Sequence, residues 1–113
     1  MTEMRIVLST VPDKEAANRM ARLAVESNLA ACVQILPGAR SIYRWQGKVE
    51  ESEELLLLFK TAASKVDALR ELVLSTHSYQ TPEFIVVPVE SASSGYLEWL
   101  FDAISGSMPP RSS

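Results

Sequence analysis

Glu53-Glu54-Leu55-Leu56-Leu57-Leu58-Phe59-Lys60-Thr61 is the stretch that decides the fold of this chain. Its centre is apolar at five consecutive positions. This predicts a strand covered on both faces, because successive side chains point to opposite faces of a sheet. Shorter apolar and β-branched runs predict three further strands, at residues 4–11, 30–36 and 84–89.

Three segments between and after these strands carry apolar residues at helical spacing. They contain Ala17, Met20, Leu23 and Ala24; Val66, Leu69, Leu72 and Val73; and Tyr96, Leu97, Leu100, Phe101 and Ile104. The order is therefore β-α-β-β-α-β followed by a short C-terminal helix, which predicts the α+β class and a ferredoxin-like sandwich. This fold places the fourth strand at an edge. Pro88 within that strand agrees, because proline cannot donate to a central ladder.

A long β-hairpin is predicted to project beyond the helices at about residues 40–50. Pro37-Gly38 interrupts its first arm, and Gln46-Gly47 supplies the tight turn at its tip. Tyr43 and Trp45 share one face of that arm. Large aromatic residues on a projecting arm favour a subunit interface, and the alternative is a local cover over the chain's own core.

The apolar runs also predict association of several copies. In a ferredoxin-like sandwich the two main helices cover one face of the sheet and leave the other face open. Leaving several leucine and valine side chains of that face in water would forgo roughly 1.5–3 kcal/mol each. The short last helix is too small to cover three strands. The sequence therefore predicts an obligate homo-oligomer in which the open faces meet.

The length and composition are those of a single domain, which we predict at residues 1–106. We predict a disordered tail at residues 107–113, because this segment lacks apolar periodicity. The formal net charge is −3, and 11 basic residues are interspersed with 14 acidic ones, so no basic stripe favours nucleic acid. No apolar run reaches membrane-spanning length, and no signal-peptide pattern precedes the first strand. We therefore expect a cytoplasmic protein without a membrane partner.

The single cysteine, Cys32, excludes a disulfide within the chain and a CxxC-type zinc site. It has two interpretations: a small buried hydrophobic residue in an apolar strand, or a thiolate ligand. No nucleophile elbow, phosphate-binding glycine loop or HExxH motif is present. The sequence therefore predicts that the chain is not an enzyme.

Several separate motifs, in one order along the chain, resemble a known family. They are Leu29-Ala30-Ala31-Cys32-Val33, Pro37-Gly38, Ser41-Ile42-Tyr43-Arg44-Trp45-Gln46-Gly47-Lys48, Lys60-Thr61, His77-Ser78-Tyr79-Gln80-Thr81-Pro82-Glu83 and Tyr96-Leu97-Glu98-Trp99. Together they resemble the CutA divalent-ion tolerance family from about residue 5 to residue 104. The resemblance implies a ferredoxin-like fold and a homotrimer similar in shape to the PII signalling proteins. It also implies a role in tolerance of copper and other divalent cations.

The resemblance further implies positions for metal ligands. In some family members copper binding is assigned to a cysteine of the first strand and to two adjacent histidines before the Tyr-x-Thr-Pro-Glu motif. These positions fall on Ser9, Thr76 and His77 of this chain. Hydroxyl groups are poor ligands for copper, so His77 is the remaining candidate ligand for Cu(II) or another divalent cation. The alternative is that His77 closes the second helix, where an imidazolium complements the helix C-terminus.

A second candidate site is a cleft between subunits, where charged and polar residues of several motifs could hold a small ligand or form a network of salt bridges. Its residues are Lys60, Tyr79, Glu83, Arg44, Lys48 and Glu50. Two functions are therefore predicted. The first is a homotrimeric protein of divalent-cation (copper) tolerance that binds metal weakly or indirectly. The alternative is a PII-like regulatory module that binds a small ligand or a partner protein in the cleft.

Overall fold

The structure is a computed structural model that describes residues 1–106, so the predicted tail at 107–113 lies outside the described residues. The elements are, in order, β1 Met4–Val11, α1 Lys14–Glu26, β2 Cys32–Trp45, β3 Lys48–Ala62, α2 Val66–Thr76, β4 Ile85–Pro88 and α3 Ser94–Ser105. A short 3-10 turn, Ala63–Lys65, joins β3 to α2. This order confirms the predicted ferredoxin-like arrangement with a C-terminal helix.

The four strands form one antiparallel sheet in the order β2-β3-β1-β4. Strand β4 is therefore an edge strand, as Pro88 predicted. Helices α1 and α2 pack on one face of the sheet, and the residues between them and the sheet are fully buried. The largest of these are Phe59, Leu57, Leu69, Val7, Val11 and Val73.

The opposite face of the sheet, which we call the open face, is covered by the chain at one end only. There α3 buries Leu100 and Ile104 against Met4 and Ala62. Beyond α3 the open face is mostly apolar, with Gln34 and Thr10 as polar positions within it. It carries Ile6, Leu8, Leu36, Leu56, Leu58, Ile85 and Val87, of which Leu36, Ile85 and Val87 are exposed. The apolar run in β3 predicted that both faces are covered, and the chain itself covers the open face only at the α3 end.

Strand β2 is continuous through Pro37 and Gly38, whereas the sequence predicted a break there. It passes them as a bulge: Leu36 lies opposite Leu56, and Ala39 lies opposite Glu54, so three steps along β2 match two along β3. The extra residue reverses the alternation of side chains in β2. The odd-numbered residues of β2 beyond the bulge, Tyr43 and Trp45 among them, consequently lie on the open face.

Gly38 makes this bulge at a backbone φ of +82°. We expect Gly38→Ala to lower the free energy of unfolding by about 1 kcal/mol, because a Cβ atom is strained at positive φ even though nothing lies within 4 Å of it. Gly95 is a matched control. It lies in the first turn of α3, also in open space, and Gly95→Ala should raise the stability by up to about 1 kcal/mol through helix propensity. Denaturant unfolding of both variants checks the opposite signs, and equal effects would contradict the strain at Gly38.

The hairpin projects because β1 ends opposite Leu55, at Val11. From residue 54 outward, β2 and β3 therefore pair only with each other as far as the turn at Gln46 and Gly47. The longest axis of the molecule is 47 Å, against 29 and 26 Å for the others. The projecting hairpin that the sequence predicted is present, and its root lies beside the end of β1.

Candidate functional site

The loop of residues 77–84 lies beside the last part of β1. Strand β4 pairs with β1 only from Arg5 to Leu8, so the final residues of β1 have no strand on that side. The buried Ser9 hydroxyl instead donates to the carbonyl oxygen of Glu83 at 2.7 Å. His77 Nε2 lies 2.6 Å from the carbonyl oxygen of Thr10. These two contacts tether the loop to β1 and fix where the Tyr79 side chain points.

His77 uses both of its ring nitrogens in this tether. The carbonyl oxygen of Thr10 can only accept, so Nε2 carries the proton and donates it. Nδ1 then accepts from the backbone N–H of Tyr79 at 3.1 Å. The His77 and Tyr79 rings also contact each other, with their centroids 4.6 Å apart. Both ring nitrogens of His77 are therefore engaged in hydrogen bonds, and neither has a free lone pair.

A groove of about 520 Å³ lies on the open face at the root of the hairpin, and we call it the hairpin-root groove. One wall is the hairpin itself, and the other is the 77–84 loop together with the end of β1. Its lining residues are Ser41, Tyr43, Trp45, Ser52 and Glu54 from the hairpin, Tyr79, Gln80, Thr81 and Glu83 from the loop, and Thr10 from β1. The volume falls in the range of small-molecule sites in proteins.

Glu54 and Tyr79 join the two walls of the hairpin-root groove. The Tyr79 hydroxyl donates to Glu54 Oε2 at 2.8 Å. Glu54 is only 8% exposed, although its neighbours in sequence, Glu53 and Leu55, are more exposed than it is. A carboxylate at such a depth is costly unless hydrogen bonds or a cation compensate for its lost hydration.

The Tyr79 hydroxyl is held in its protonated form. Burial, and then the hydrogen bond to the Glu54 carboxylate and the negative charge of that group, raise the pKa of Tyr79 well above its usual range. The folded chain thus holds this proton more tightly than the unfolded chain does.

We expect this raised pKa to make stability depend on pH in the alkaline range. The contribution of Tyr79 is complete below the unfolded pKa of about 10 and is lost as the pH rises toward the folded pKa. The free energy of unfolding of the wild type should therefore fall more steeply above pH 10 than that of Tyr79→Phe, which has no proton to lose. Urea unfolding at a series of pH values from 9 upward measures both slopes, and parallel slopes would contradict the expectation.

The residues predicted to form the intersubunit cleft are placed in three regions of the single chain. Tyr79 and Glu83 line the hairpin-root groove. Lys60 lies opposite Ile6 with its ammonium 5.5 Å from the ring centre of Tyr96, and it is six residues along β3 from Glu54, roughly 20 Å away. The other three, Arg44, Lys48 and Glu50, are exposed near the hairpin tip. That these six residues come together at a boundary between subunits remains a prediction.

Glu54 is a groove residue that was not among the candidate site residues predicted from the sequence. A signal for it was present, because Glu54 is in phase with Leu56 and Leu58 and so shares the open face with them. Glu54 therefore stands at a position where the alternation of β3 predicts an apolar side chain, and a charged residue at such a position often has a specific role. Its partner, Tyr79, lies 25 residues away and was identifiable only from the folded chain.

The comparisons with known proteins agree with one another. The profile of the family described as CutA1 divalent ion tolerance protein matches residues 5–103. The Divalent-cation tolerance protein CutA of Thermus thermophilus is 48% identical over 95 residues, which cover 84% of this chain and 92% of that protein. The chain belongs to the CutA1 divalent ion tolerance family.

Other CutA proteins show how far the likeness extends. Human Protein CutA is 45% identical over 91 residues, 80% of this chain and 51% of that protein, so this chain spans about half of it. The crystal structure of CutA from Xylella fastidiosa superposes with a TM-score of 0.89 at 42% identity, and covers 91% of this chain and 99% of that one. The fold of this chain is therefore the CutA fold.

The metal positions implied by the CutA resemblance do not form a donor set here. The Ser9 and Thr76 hydroxyls donate to the backbone carbonyls of Glu83 and Leu72, and His77 has both nitrogens engaged. Arg19 lines the small cavity of about 20 Å³ beside His77, where its positive charge disfavours a metal cation. Within residues 1–106, no group of three or more His, Cys, Asp or Glu side chains is placed to hold a metal ion.

Cys32 lies on the open face, opposite Lys60 and half-buried. It is therefore at the α3 end of the sheet, away from the hairpin root. Its two interpretations, as a small hydrophobic residue of the strand and as a thiolate ligand, both remain predictions.

None of the helices in the described part of this CutA chain is long and apolar enough to cross a membrane. The names of similar proteins differ in compartment: one plant protein is called chloroplastic, and one archaeal structure is called periplasmic. The cytoplasmic location of this chain stays a prediction.

Proposed function

We propose that this CutA chain acts in divalent-cation tolerance as a homotrimer that binds metal weakly or affects metal tolerance indirectly. The observation that carries the proposal is the state of His77, whose two ring nitrogens both make structural hydrogen bonds. A metal ion at His77 would have to displace the Thr10 carbonyl or the Tyr79 amide. A single imidazole gained at that cost is a weak site.

Calorimetric titration with Cu(II) and Zn(II) tests this proposal. The wild type is compared with His77→Gln, whose side-chain amide can still donate to the Thr10 carbonyl, and with His77→Ala, which cannot. We expect the wild type and His77→Gln to give the same weak heats, while His77→Ala is less stable because its loop tether is lost. Tight, saturable binding that His77→Gln abolishes without loss of stability would contradict the proposal.

The assembly part of the proposal is supported by the open face. Its exposed apolar residues, Leu36, Ile85 and Val87, form a surface that a second copy would remove from water. The number three comes from the resemblance to CutA proteins. Light scattering should therefore give three times the chain mass of 12.5 kDa, and a stable monomer at micromolar concentration would overturn this part.

A second candidate function, a PII-like regulatory module, is favoured by the hairpin-root groove. The groove has the size of a ligand site, and its lining combines three aromatic rings with seven polar or acidic side chains. A thermal-shift screen with metabolites tests it, because a ligand bound only by the folded chain raises the melting temperature. A clear shift with metal ions and none with any metabolite would favour the first function alone.

We further propose that the chain works in the cytoplasm and catalyses no reaction. The single cysteine of the sequence, which suits a reducing compartment, motivates the first statement, and the lack of the catalytic motifs considered above motivates the second. Fractionation of the native cells checks the first. Turnover of any metabolite in the ligand screen would overturn the second.

A further inference from the structure

Glu54 is a buried carboxylate that has no cationic partner within residues 1–106 of one copy. The ion pairs of this part of the chain join other residues, Arg40 with Glu51 and Arg70 with Asp67. The contact that the Glu54 carboxylate makes is the hydrogen bond donated to its Oε2 by the neutral Tyr79 hydroxyl. A buried charge is stabilised by an opposite charge and only weakly by one neutral donor. The charge of Glu54 is therefore only partly compensated within a single copy.

The open face, where copies are expected to meet, carries two positively charged strand residues. In β3 the residues with even numbers lie on that face, so Lys48 and Lys60 share it with Glu54. The arginines of the strands lie on the other face; they are Arg5, Arg40 and Arg44. Among the described strand residues, a contact between open faces can therefore bring Lys48 or Lys60 to Glu54.

Neither lysine reaches Glu54 of its own copy, because each lies six residues away along β3, roughly 20 Å at the rise of a strand. The two lysines differ in how free they are. Lys60 is half-buried at the α3 end, and its ammonium lies 5.5 Å from the ring centre of Tyr96. Lys48 is exposed at the hairpin tip and has no hydrogen bond or ion pair within the described residues. Lys48 is thus the cation that the open face leaves unpaired.

The two unpaired charges lie at opposite ends of the hairpin, with Lys48 at its tip and Glu54 at its root. A contact that pairs them between copies places the tip of one hairpin against the root of the next. Such a contact joins two different patches, so it is heterologous, and heterologous contacts close into a ring when the rotation between copies allows it. A threefold ring requires a contact of this type, since an isologous contact joins copies in pairs.

We propose that Lys48 of each copy enters the hairpin-root groove of the next copy and pairs there with Glu54. The proposal rests on the assembly part of the proposed function, and it names the charged contact that links the copies. The groove suits a lysine side chain, because the rings of Tyr43, Trp45 and Tyr79 line it and attract both the stem and the ammonium. The Tyr79 hydroxyl occupies Oε2 of Glu54 and leaves Oε1 for the ammonium. The groove is then a space that the next copy fills.

A double-mutant cycle tests the pairing. Glu54→Gln removes the charge and keeps an oxygen that can accept from the Tyr79 hydroxyl, and Lys48→Met removes the charge and keeps an unbranched stem. Association is obtained from the dependence of urea unfolding on protein concentration, which reports assembly even when no folded monomer accumulates. We expect each single variant to associate at least about tenfold more weakly than the wild type. The double variant should associate no more weakly than the weaker single one, because the pair is already broken. Losses that multiply in the double variant would overturn the pairing.

Two further variants are matched controls on the other face of the hairpin. Arg44→Met removes a positive charge near the tip, and Glu53→Gln removes a negative charge near the root, both from exposed side chains. Neither should change the association. Losses equal to those of Lys48→Met and Glu54→Gln would mean that overall charge, rather than one pair, governs assembly, and this would contradict the proposal.

The same cycle with Lys60→Met in place of Lys48→Met identifies which lysine is the partner. We expect the losses of Lys60→Met and Glu54→Gln to multiply, and coupling with Lys60 but not with Lys48 would overturn the assignment. The mass of the wild type separates this inference from the proposal on which it rests. A monomeric wild type overturns both, whereas an assembled wild type without coupling between Lys48 and Glu54 overturns the pairing alone.

Discussion

Leu57→Ala is expected to lower the free energy of unfolding by about 2–5 kcal/mol, the range found when a fully buried leucine is cut back to alanine. Leu57 is 0% exposed and lies between the sheet and the helices α1 and α2, with Phe59 and Leu69 in the same cluster. The loss has two parts: the transfer free energy of the removed methyl groups, and the cavity that a packed core does not fill. Denaturant unfolding at one fixed protein concentration measures it, because assembly would make stability depend on concentration.

Leu74→Ala is the matched control for Leu57→Ala. The substitution Leu74→Ala removes the same atoms from α2 at a position where the leucine is 48% exposed. We expect a change within about 0.5 kcal/mol, since little packed surface is lost. Similar losses in the two variants would mean that the face of β3 under the helices is not the principal core.

Leu58→Lys is expected to weaken association between copies about a hundredfold or more, while each chain keeps its fold. Leu58 is the next residue along β3, so it lies on the open face, opposite Leu8 on one side and Gln34 on the other. A lysine there would bring an unpaired ammonium into an apolar contact, and such a charge costs about 3–5 kcal/mol when buried. Sedimentation equilibrium of the variant should show dissociation toward the 12.5 kDa chain.

Leu74→Lys adds the same charge outside the open face and should leave the mass unchanged. Circular dichroism distinguishes dissociation from unfolding, because a dissociated chain keeps its helices and strands. If Leu58→Lys assembles as tightly as the wild type, the open face is not the contact between copies.

The order of the strands and helices was predictable, because each element is marked by a pattern of apolar residues that are close together in the sequence. The run at 55–59 marks a strand apolar on both faces, and Pro88 marks an edge strand. In the predicted stripe of α1, Ala17, Met20 and Ala24 are buried, whereas Leu23 is exposed at the edge of the stripe. Each of these features follows from the period of side chains along a helix or strand, and that period is visible in neighbouring residues.

The candidate site was predictable only in part. The sequence marked the 76–83 segment as distinctive, and Tyr79 and Glu83 do line the hairpin-root groove. The sequence left open whether His77 binds metal or serves the structure. The folded chain shows its two structural hydrogen bonds, one of them to Thr10 at a separation of 67 residues. Glu54 was missed, because nothing near it in sequence shows that Tyr79 will reach it.

The sequence by itself determined the strands, the helices, their order and the presence of a second apolar face, because all of these follow from local periodicity. Only the tertiary structure decided which residues share the groove. One extra residue at the Gly38 bulge turns Tyr43 and Trp45 onto the open face, and the register of β3 on β1 brings Glu54 beside the end of β1. Alternation specifies two faces for a strand, but pairing between distant strands specifies which side chains meet there.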